Sequence, residues 1–342
     1  MLRIDRRRGD RGDKTHVTRR GRKSVALNLK QPAAREACLR LMDTADALYE
    51  GFRPGFMERL GQGPDTALTR NRKLVYGRMT GWGQEGPLAQ SAGHDINYIA
   101  ITCVLHAIGT AERPVPPLNL VGDFGRGTMY LAVGLQAALL HARATGEGQV
   151  VDAAMSDDAA SLMAAFYGHM TRGRWSDTRA SNAVDGGAPY YGVFQCKDGR
   201  WVALGSIEPQ FFAEMMEKVG IGNFPRDRQR DPAFWPDLRE RLESRFLTKT
   251  QADWMALMEG SDACFAGVLS LTDAPSHPHH VARETFVTVD GVLQPAPAPR
   301  FSRTPGRVQK MDPRIGAHNE TGLISWGFSA DEVKVLRSAG AL

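Results

Sequence analysis

The chain has 342 residues, 42% of them apolar and 24% charged, with a net charge of +5. That length favours one large domain plus a smaller one, and the composition is that of a soluble globular protein rather than a disordered or fibrous one. No apolar run approaches the roughly 20 residues needed to cross a bilayer, and no signal-peptide pattern opens the sequence.

In chain order, Leu2-Arg3-Ile4-Asp5 reads as the end of a short strand. Nine Lys or Arg crowd the first 22 residues: Arg3, Arg6, Arg7, Arg8, Arg11, Lys14, Arg19, Arg20 and Arg22. Such a stretch suits nucleic acid, a membrane surface or a phosphate-bearing small molecule, and equally a solvated loop. Residues 24–29 form a second strand, and Pro32 opens a helix carrying Ala37, Leu39, Leu41 and Met42. A strand at 47–50 ends in the loop Gly51-Phe52-Arg53-Pro54-Gly55, and after two short helices a strand at 74–79 follows. Strands alternating with helices predict a parallel sheet covered on both faces, with ligand-binding loops at the carboxyl ends of its strands. Apolar residues at helical spacing predict a helix over 128–143, then a brief strand at 149–151, with Asp152 capping another helix that reaches Gly168.

Residues 172–187 are polar and glycine-bearing, as a linker would be. Beyond Pro189, residues 190–196 and 201–204 flank Lys197-Asp198-Gly199-Arg200, a hairpin in which Asp-Gly supplies the turn. Helices near 209–219, 236–246 and 251–259 and a return strand near 286–289 complete a smaller α+β domain, and a final helix covers 332–339. The predicted division is a large α/β domain over 1–170, a linker over 171–188, the small α+β domain over 189–294, and a return segment over 295–342 packing on the large domain. Cys38, Cys103, Cys196 and Cys264 are far apart, without CxxC or metal-ligand spacing, the pattern of reduced thiols in a cytoplasmic protein.

Two titratable groups set beside glycine stand out: His94 in Ser91-Ala92-Gly93-His94-Asp95-Ile96-Asn97-Tyr98, and Asp123 in Gly122-Asp123-Phe124-Gly125. Glu208, in Gly205-Ser206-Ile207-Glu208-Pro209-Gln210, is a carboxylate that could orient the imidazole. On spacing alone, a lone His beside Gly reads as structural, an Asp before a helix as an N-cap, and Glu-Pro as the end of a loop.

The runs His94-Asp95-Ile96-Asn97-Tyr98 and Arg113-Pro114-Val115-Pro116-Pro117-Leu118-Asn119-Leu120-Val121-Gly122-Asp123-Phe124-Gly125 resemble those of the α-methylacyl-CoA racemases, a family of the class III CoA-transferase superfamily. Met79-Thr80-Gly81-Trp82-Gly83-Gln84, Gly186-Gly187-Ala188-Pro189-Tyr190-Tyr191 and Pro297-Ala298-Pro299-Arg300-Phe301-Ser302 carry the same resemblance, which spans nearly the whole chain. It implies an α/β fold with a large Rossmann-like parallel-sheet domain, a smaller α+β domain and an intertwined homodimer. The implied reaction is epimerisation of 2-methylacyl-CoA thioesters by 1,1-proton transfer through an enolate. No metal or organic cofactor is implied, since CoA is part of the substrate, and neither nucleic acid nor membrane is an expected partner. His94, Asp123 and Glu208 match the catalytic groups, with Glu208 serving the imidazole of the other subunit. Arg6, Arg53, Arg78, Gly122 and Gly125 are the candidate contacts to the CoA thioester.

The chemistry asks for such a set. Removing a weakly acidic thioester α-proton near neutral pH needs a positioned base and stabilisation of enolate charge, and inversion needs a second group on the opposite face. Asp95, Asn97 and Tyr98 read as packing and loop hydrogen bonding, and His277, His279 and His280 as a solvated loop rather than a metal site. Met155, Met163, Met170, Met215 and Met216 are candidates for an apolar acyl pocket. The chain departs from the family pattern twice. About one βα unit that normally precedes Leu2 is not found, and Arg126 stands where close relatives carry Gly. The competing functions are CoA transfer between carboxylic acids with Asp123 as nucleophile, and an inactive acyl-CoA binder.

Overall fold

The computed structural model describes residues 1–6, 15–309 and 314–342. Arg7, Arg8, Arg11 and Lys14 of the basic stretch lie outside the described residues. The elements run β1 (Leu2–Asp5), β2 (Lys23–Ala26), α1 (Pro32–Thr44), β3 (Ala47–Glu50), α2 (Phe56–Arg59), α3 (Pro64–Arg70) and β4 (Val75–Thr80). After these come α4 (Asp95–Ala100), α5 (Val104–Ala107), a π-helical segment (Leu120–Thr128), α6 (Met129–Thr145), β5 (Val150–Ala154), α7 (Met155–Leu162) and α8 (Ala164–Thr171). The remainder comprises β6 (Tyr191–Gln195), β7 (Trp201–Gly205), α9 (Pro209–Val219), α10 (Trp235–Phe246), α11 (Gln251–Met258), β8 (Phe265–Val268), α12 (Pro278–Ala282), β9 (Phe286–Val289), β10 (Val292–Pro295), α13 (Asn319–Ile324) and α14 (Ala330–Ser338).

The chain divides into two compact units, Met1–Arg78 with Val133–Val151 and Leu271–Leu342, and Met79–Ala132 with Asp152–Ser270. In the first, β1 pairs with β2 in parallel, Leu2 opposite Lys23. Val25 and Leu27 pack with Ala34, Ala37, Cys38 and Leu41 of α1 and with Leu323, Val333 and Leu336 of the two C-terminal helices. The chain end is tied to β2 directly: the Ala26 N–H donates to Asn319 Oδ1 at 2.7 Å and the Ser24 N–H to His318 Nδ1 at 3.2 Å. A second parallel pair sets β3 against β4, Ala47 opposite Val75, and β5 flanks β4 on its other side. Ala138 and Ala142 of α6 cover Val75; small side chains here let the helix lie close to the strand. The parallel pairs and their covering helices give the α/β class, as two short sheets rather than one continuous one.

The second unit holds two cores. Ile99, Val104, Ala159 and Met163 join α4, α5 and α7. The other core lies under the predicted hairpin, β6 antiparallel to β7 with Tyr191 opposite Gly205. Its third strand is β8 and not the segment at 286–289, which pairs with β10 in a separate ribbon. Phe212, Met215, Met216, Phe246 and Trp254 are fully enclosed there, each contributing on the order of 2 kcal/mol by apolar burial. Met215 and Met216 are therefore core residues of this sheet rather than pocket lining, because α9 turns its apolar side inward to cover the hairpin. Asp152 caps no helix. It lies within β5, and its carboxylate accepts from the Gln84 N–H at 3.3 Å.

Candidate active site

The segment leading into α4 is held by one aromatic side chain. Tyr98, buried on the first turn and a half of the helix, donates from its hydroxyl to the Gly93 carbonyl at 2.5 Å and meets the Trp82 ring edge-on at 4.7 Å. That anchorage fixes His94 at the N-cap position. The His94 N–H donates to Asn97 Oδ1 at 3.0 Å, and the Asn97 N–H returns to the His94 carbonyl at 2.8 Å. The reciprocal bonds satisfy donors that a helix start leaves open. The His94 side chain is exposed.

Asp123 sits in the π-helical segment. Its backbone N–H leaves the helical ladder and donates to Asp95 Oδ2 at 2.7 Å, while its carboxylate accepts from Asn119 Nδ2 at 3.3 Å. The Thr128 hydroxyl donates to the Asp123 carbonyl at 2.9 Å. Asp95 is only 3% exposed, and a buried polar atom needs a hydrogen bond; Oδ2 has the Asp123 N–H, whereas Oδ1 has no partner among the described residues. The reason for Gly122 is local, since a Cβ there would stand 2.8 Å from Asp95 Oδ2. Burial pushes the Tyr98 phenol up, and the charge of Asp123 adds to the effect. The helix that starts at His94 and the turn that bears Asp123 are thus joined through Asp95. Sequence reasoning assigned Asp95 and Tyr98 to packing and loop bonding; the tie from Asp95 to the Asp123 backbone was missed, and the only local signal was an acid directly after the histidine.

Glu208 occupies the N-cap position of α9 with no capping bond from its side chain, which is exposed. Its loop is fixed from below: Ser206 Oγ donates to the Ala263 carbonyl at 2.8 Å, and Gln229 Nε2 donates to the carbonyls of Ser206 and Ile207 at 2.9 and 3.0 Å. Partial burial pushes the Cys264 thiol up, with the charge of Glu208 the next contributor. No hydrogen bond joins Glu208 to His94 among the described residues. The structure therefore brings His94 and Asp123 to one local framework within a chain and leaves Glu208 apart from their hydrogen bonds.

The candidate CoA contacts have different surroundings. Arg6, after β1, and Arg53, in the loop after β3, are exposed. Arg78 is 7% exposed and committed internally, donating to Glu50 at 3.0 Å and to Glu58 at 2.7 Å. Burial pushes Glu50 up, opposed by the Phe52 N–H and by Arg78. Gly125 is exposed on the same turn as Asp123. The Arg126 guanidinium lies 4.9 Å from the Tyr130 ring centre, a cation–π geometry. In the basic stretch, Arg3 pairs with Asp5 and Arg20 donates to Gln294 and the Pro295 carbonyl. The His277 and His279 rings each meet the His280 ring edge-on, and the His279 N–H donates to His277 Nδ1 in capping α12. Among the described residues no group of three potential ligands has the arrangement of a metal site.

Known proteins resemble this chain over most of its length. The profile of CoA-transferase family III matches residues 6–319, and the chain belongs to that family. It is 40% identical over 323 residues to the α-methylacyl-CoA racemase of Mus musculus, covering 93% of this chain and 84% of that one. With the Homo sapiens α-methylacyl-CoA racemase it shares 38% identity over 341 residues, covering 99% of this chain and 89% of the human one. The crystal structure of Rv3272 from Mycobacterium tuberculosis aligns with a TM-score of 0.75 at 25% identity, over 93% of this chain and 89% of that chain.

Proposed function

We propose that this chain is an isomerase that epimerises the 2-methyl centre of acyl-CoA thioesters. The observation that carries the reading is the bond from the Asp123 N–H to Asp95 Oδ2, which ties the second acid–base group to the helix that begins beside His94. One of the pair takes the C2 proton, the electron pair moves into the thioester carbonyl to give an enolate, and the other returns a proton to the opposite face. Glu208 accepts from the second imidazole nitrogen and holds the ring, supplied by the partner chain of an intertwined homodimer.

CoA enters as part of the substrate, with no separate cofactor. Arg6 and Arg53 are the cations assigned to its phosphates, and Gly122 and Gly125 flank the thioester. Arg78 is omitted because its guanidinium already serves Glu50 and Glu58. Residues 1–170 and 295–342 would make up the CoA-binding part and residues 189–294 the small domain. Four free cysteines support a reducing, cytoplasmic setting. No helix among the described residues is long and apolar enough to cross a membrane.

Incubating the protein with a (2R)-2-methylacyl-CoA in D2O tests the proposal. Deuterium should enter C2 and the centre should scramble without any acceptor acid. Family membership leaves CoA transfer as the second reading; it requires an acceptor acid for any turnover and yields an Asp123 acyl intermediate trapped by hydroxylamine. Binding of an acyl-CoA with neither reaction would leave an inactive binder.

A further inference from the structure

We propose that two side chains of the short helix α4 position the acid–base groups separately. The Tyr98 phenol sets His94 and the Asp95 carboxylate sets Asp123, so each governs proton exchange at one face of the enolate. The inference rests on the racemase reading, and the packing of α4 argues for it. Asp95 and Ile99, four residues apart, share one face of the helix, and that face meets the π-helical segment. A Cβ at Gly122 would stand 2.8 Å from Asp95 Oδ2 and 3.4 Å from Ile99 Cγ2. Ile99 is fully buried and packs with Ala159 and Met163, which seats the helix. From that seat Asp95 Oδ2 accepts the Asp123 N–H at 2.7 Å.

Tyr98 holds the other group, on the approach to the helix. Its ring lies against two glycines: a Cβ at Gly81 would stand 2.1 Å from it, and one at Gly93 2.7 Å. Only residues without a side chain let the phenol come so close to both segments. The hydroxyl donates to the Gly93 carbonyl at 2.5 Å, on the peptide that leads into His94, and the Trp82 ring stands edge-on at 4.7 Å. The two ties share a helix but not a bond. Among the described residues, the side-chain hydrogen bond of Tyr98 goes to Gly93 and that of Asp95 to the Asp123 N–H, with Asp95 Oδ1 unpartnered. Loosening Tyr98 therefore leaves the Asp123 tie standing, and loosening Asp95 leaves the His94 tie standing.

The test starts from each pure enantiomer of a 2-methylacyl-CoA in D2O and follows deuterium into C2, giving kcat and KM for each. The group facing a given enantiomer removes its proton, so a lesion at one group slows one enantiomer. Tyr98→Phe, which keeps the ring and removes the hydroxyl, should lose about tenfold in kcat from one enantiomer and stay within about twofold from the other. KM should stay within about twofold for both, the effect of a misplaced group rather than of lost binding. Asp95→Ala should show the same loss on the opposite enantiomer. Asp95→Asn, which keeps an oxygen for the Asp123 N–H, should recover most of that loss. A merely structural role would slow both enantiomers alike. Equal losses on both, losses from the two variants on the same enantiomer, wild-type rates in either, or an Asp95→Asn no faster than Asp95→Ala each overturn the proposal. Should Asp95→Ala fail to fold, Tyr98→Phe decides: a loss confined to one enantiomer supports the proposal, and any other result overturns it. A wild type that exchanges no deuterium overturns the racemase reading itself, and this inference with it.

Discussion

Two groups that must address one carbon from opposite faces tolerate little play in the backbone that carries them, since displacement of about 1 Å can cost on the order of a hundredfold in rate. His94→Ala and Asp123→Asn are each expected to reduce C2 exchange by roughly 10²–10⁴-fold, the worth of one general acid–base group. Normal exchange in either would remove that residue from the reaction. Gly122→Ala probes the framework instead of the chemistry. Its new Cβ would meet the buried Asp95 carboxylate at 2.8 Å from Oδ2 and 3.0 Å from Cγ. The expected outcome is about 1–3 kcal/mol lost in urea denaturation together with at least a tenfold drop in kcat; a variant with native stability and rate would show that the Asp95–Asp123 bond is dispensable. At this scale the sequence is readable only in part. His94 and Asp123 stand in motifs a family shares, so their identity can be carried over. The work of Asp95 depends on a donor 28 residues away, and the burial of Arg78 depends on two strands and a helix coming together, neither of which a local pattern encodes.

Among the elements, legibility follows how far the determining contact lies along the chain. The β6–β7 hairpin is readable because Asp198-Gly199 makes its own turn, with Gly199 at a φ of +77°. Helix α6 is readable from its apolar spacing. Strand β8 offers only Phe265-Ala266-Gly267-Val268, too short and uniform to signal pairing, and it is placed by the existing edge of β7. The π-helical segment reads in sequence as an ordinary helix start. Its wider turn goes with an N–H diverted to Asp95, a tertiary bond, and such turns are often found at functional sites. Helix α7 carries a consequence for stability. With Asp158 raised to about 7 against an ordinary carboxyl value near ~3.9, the native state between those two pH values keeps a proton that the unfolded chain has lost. Stability therefore declines as pH rises from about 4 to about 7 and stays lower above that. Asp158→Asn removes the ionisation, so the variant should match the wild type near pH ~4 and exceed it by on the order of 2 kcal/mol above pH ~7.5. Denaturant titrations of both proteins across that range measure the difference directly; a gap that stays constant with pH would refute the assignment.

At the scale of the whole molecule, the question is which chain completes the site. All three proposed acid–base groups belong to the same compact unit, yet the charge of Glu208 bears on Cys264, and its loop is fixed by Gln229 and Ser206 rather than by anything from α4. Exposed apolar residues are plentiful on α6, with Met129 54%, Val133 62% and Leu140 68% exposed, and the proposed homodimer would give such residues a covering chain. If Glu208 orients the partner's imidazole, co-expressing a His94→Ala chain with a Glu208→Ala chain has a distinctive result. In a mixed dimer one site collects both lesions and the other receives an intact His94 and an intact Glu208. Random pairing makes about half the dimers mixed, so total exchange activity should recover to roughly a quarter of the wild-type value, well above either parent alone. If Glu208 acts within its own chain, every site of the mixed dimer carries one lesion, and activity remains at the level of the parents. Tagging the two chains differently and purifying through both tags isolates the mixed dimer, whose activity should then approach about half that of the wild type. Recovery would place the carboxylate and the imidazole on different chains; its absence in a dimer shown to contain both tags would return the whole site to one chain.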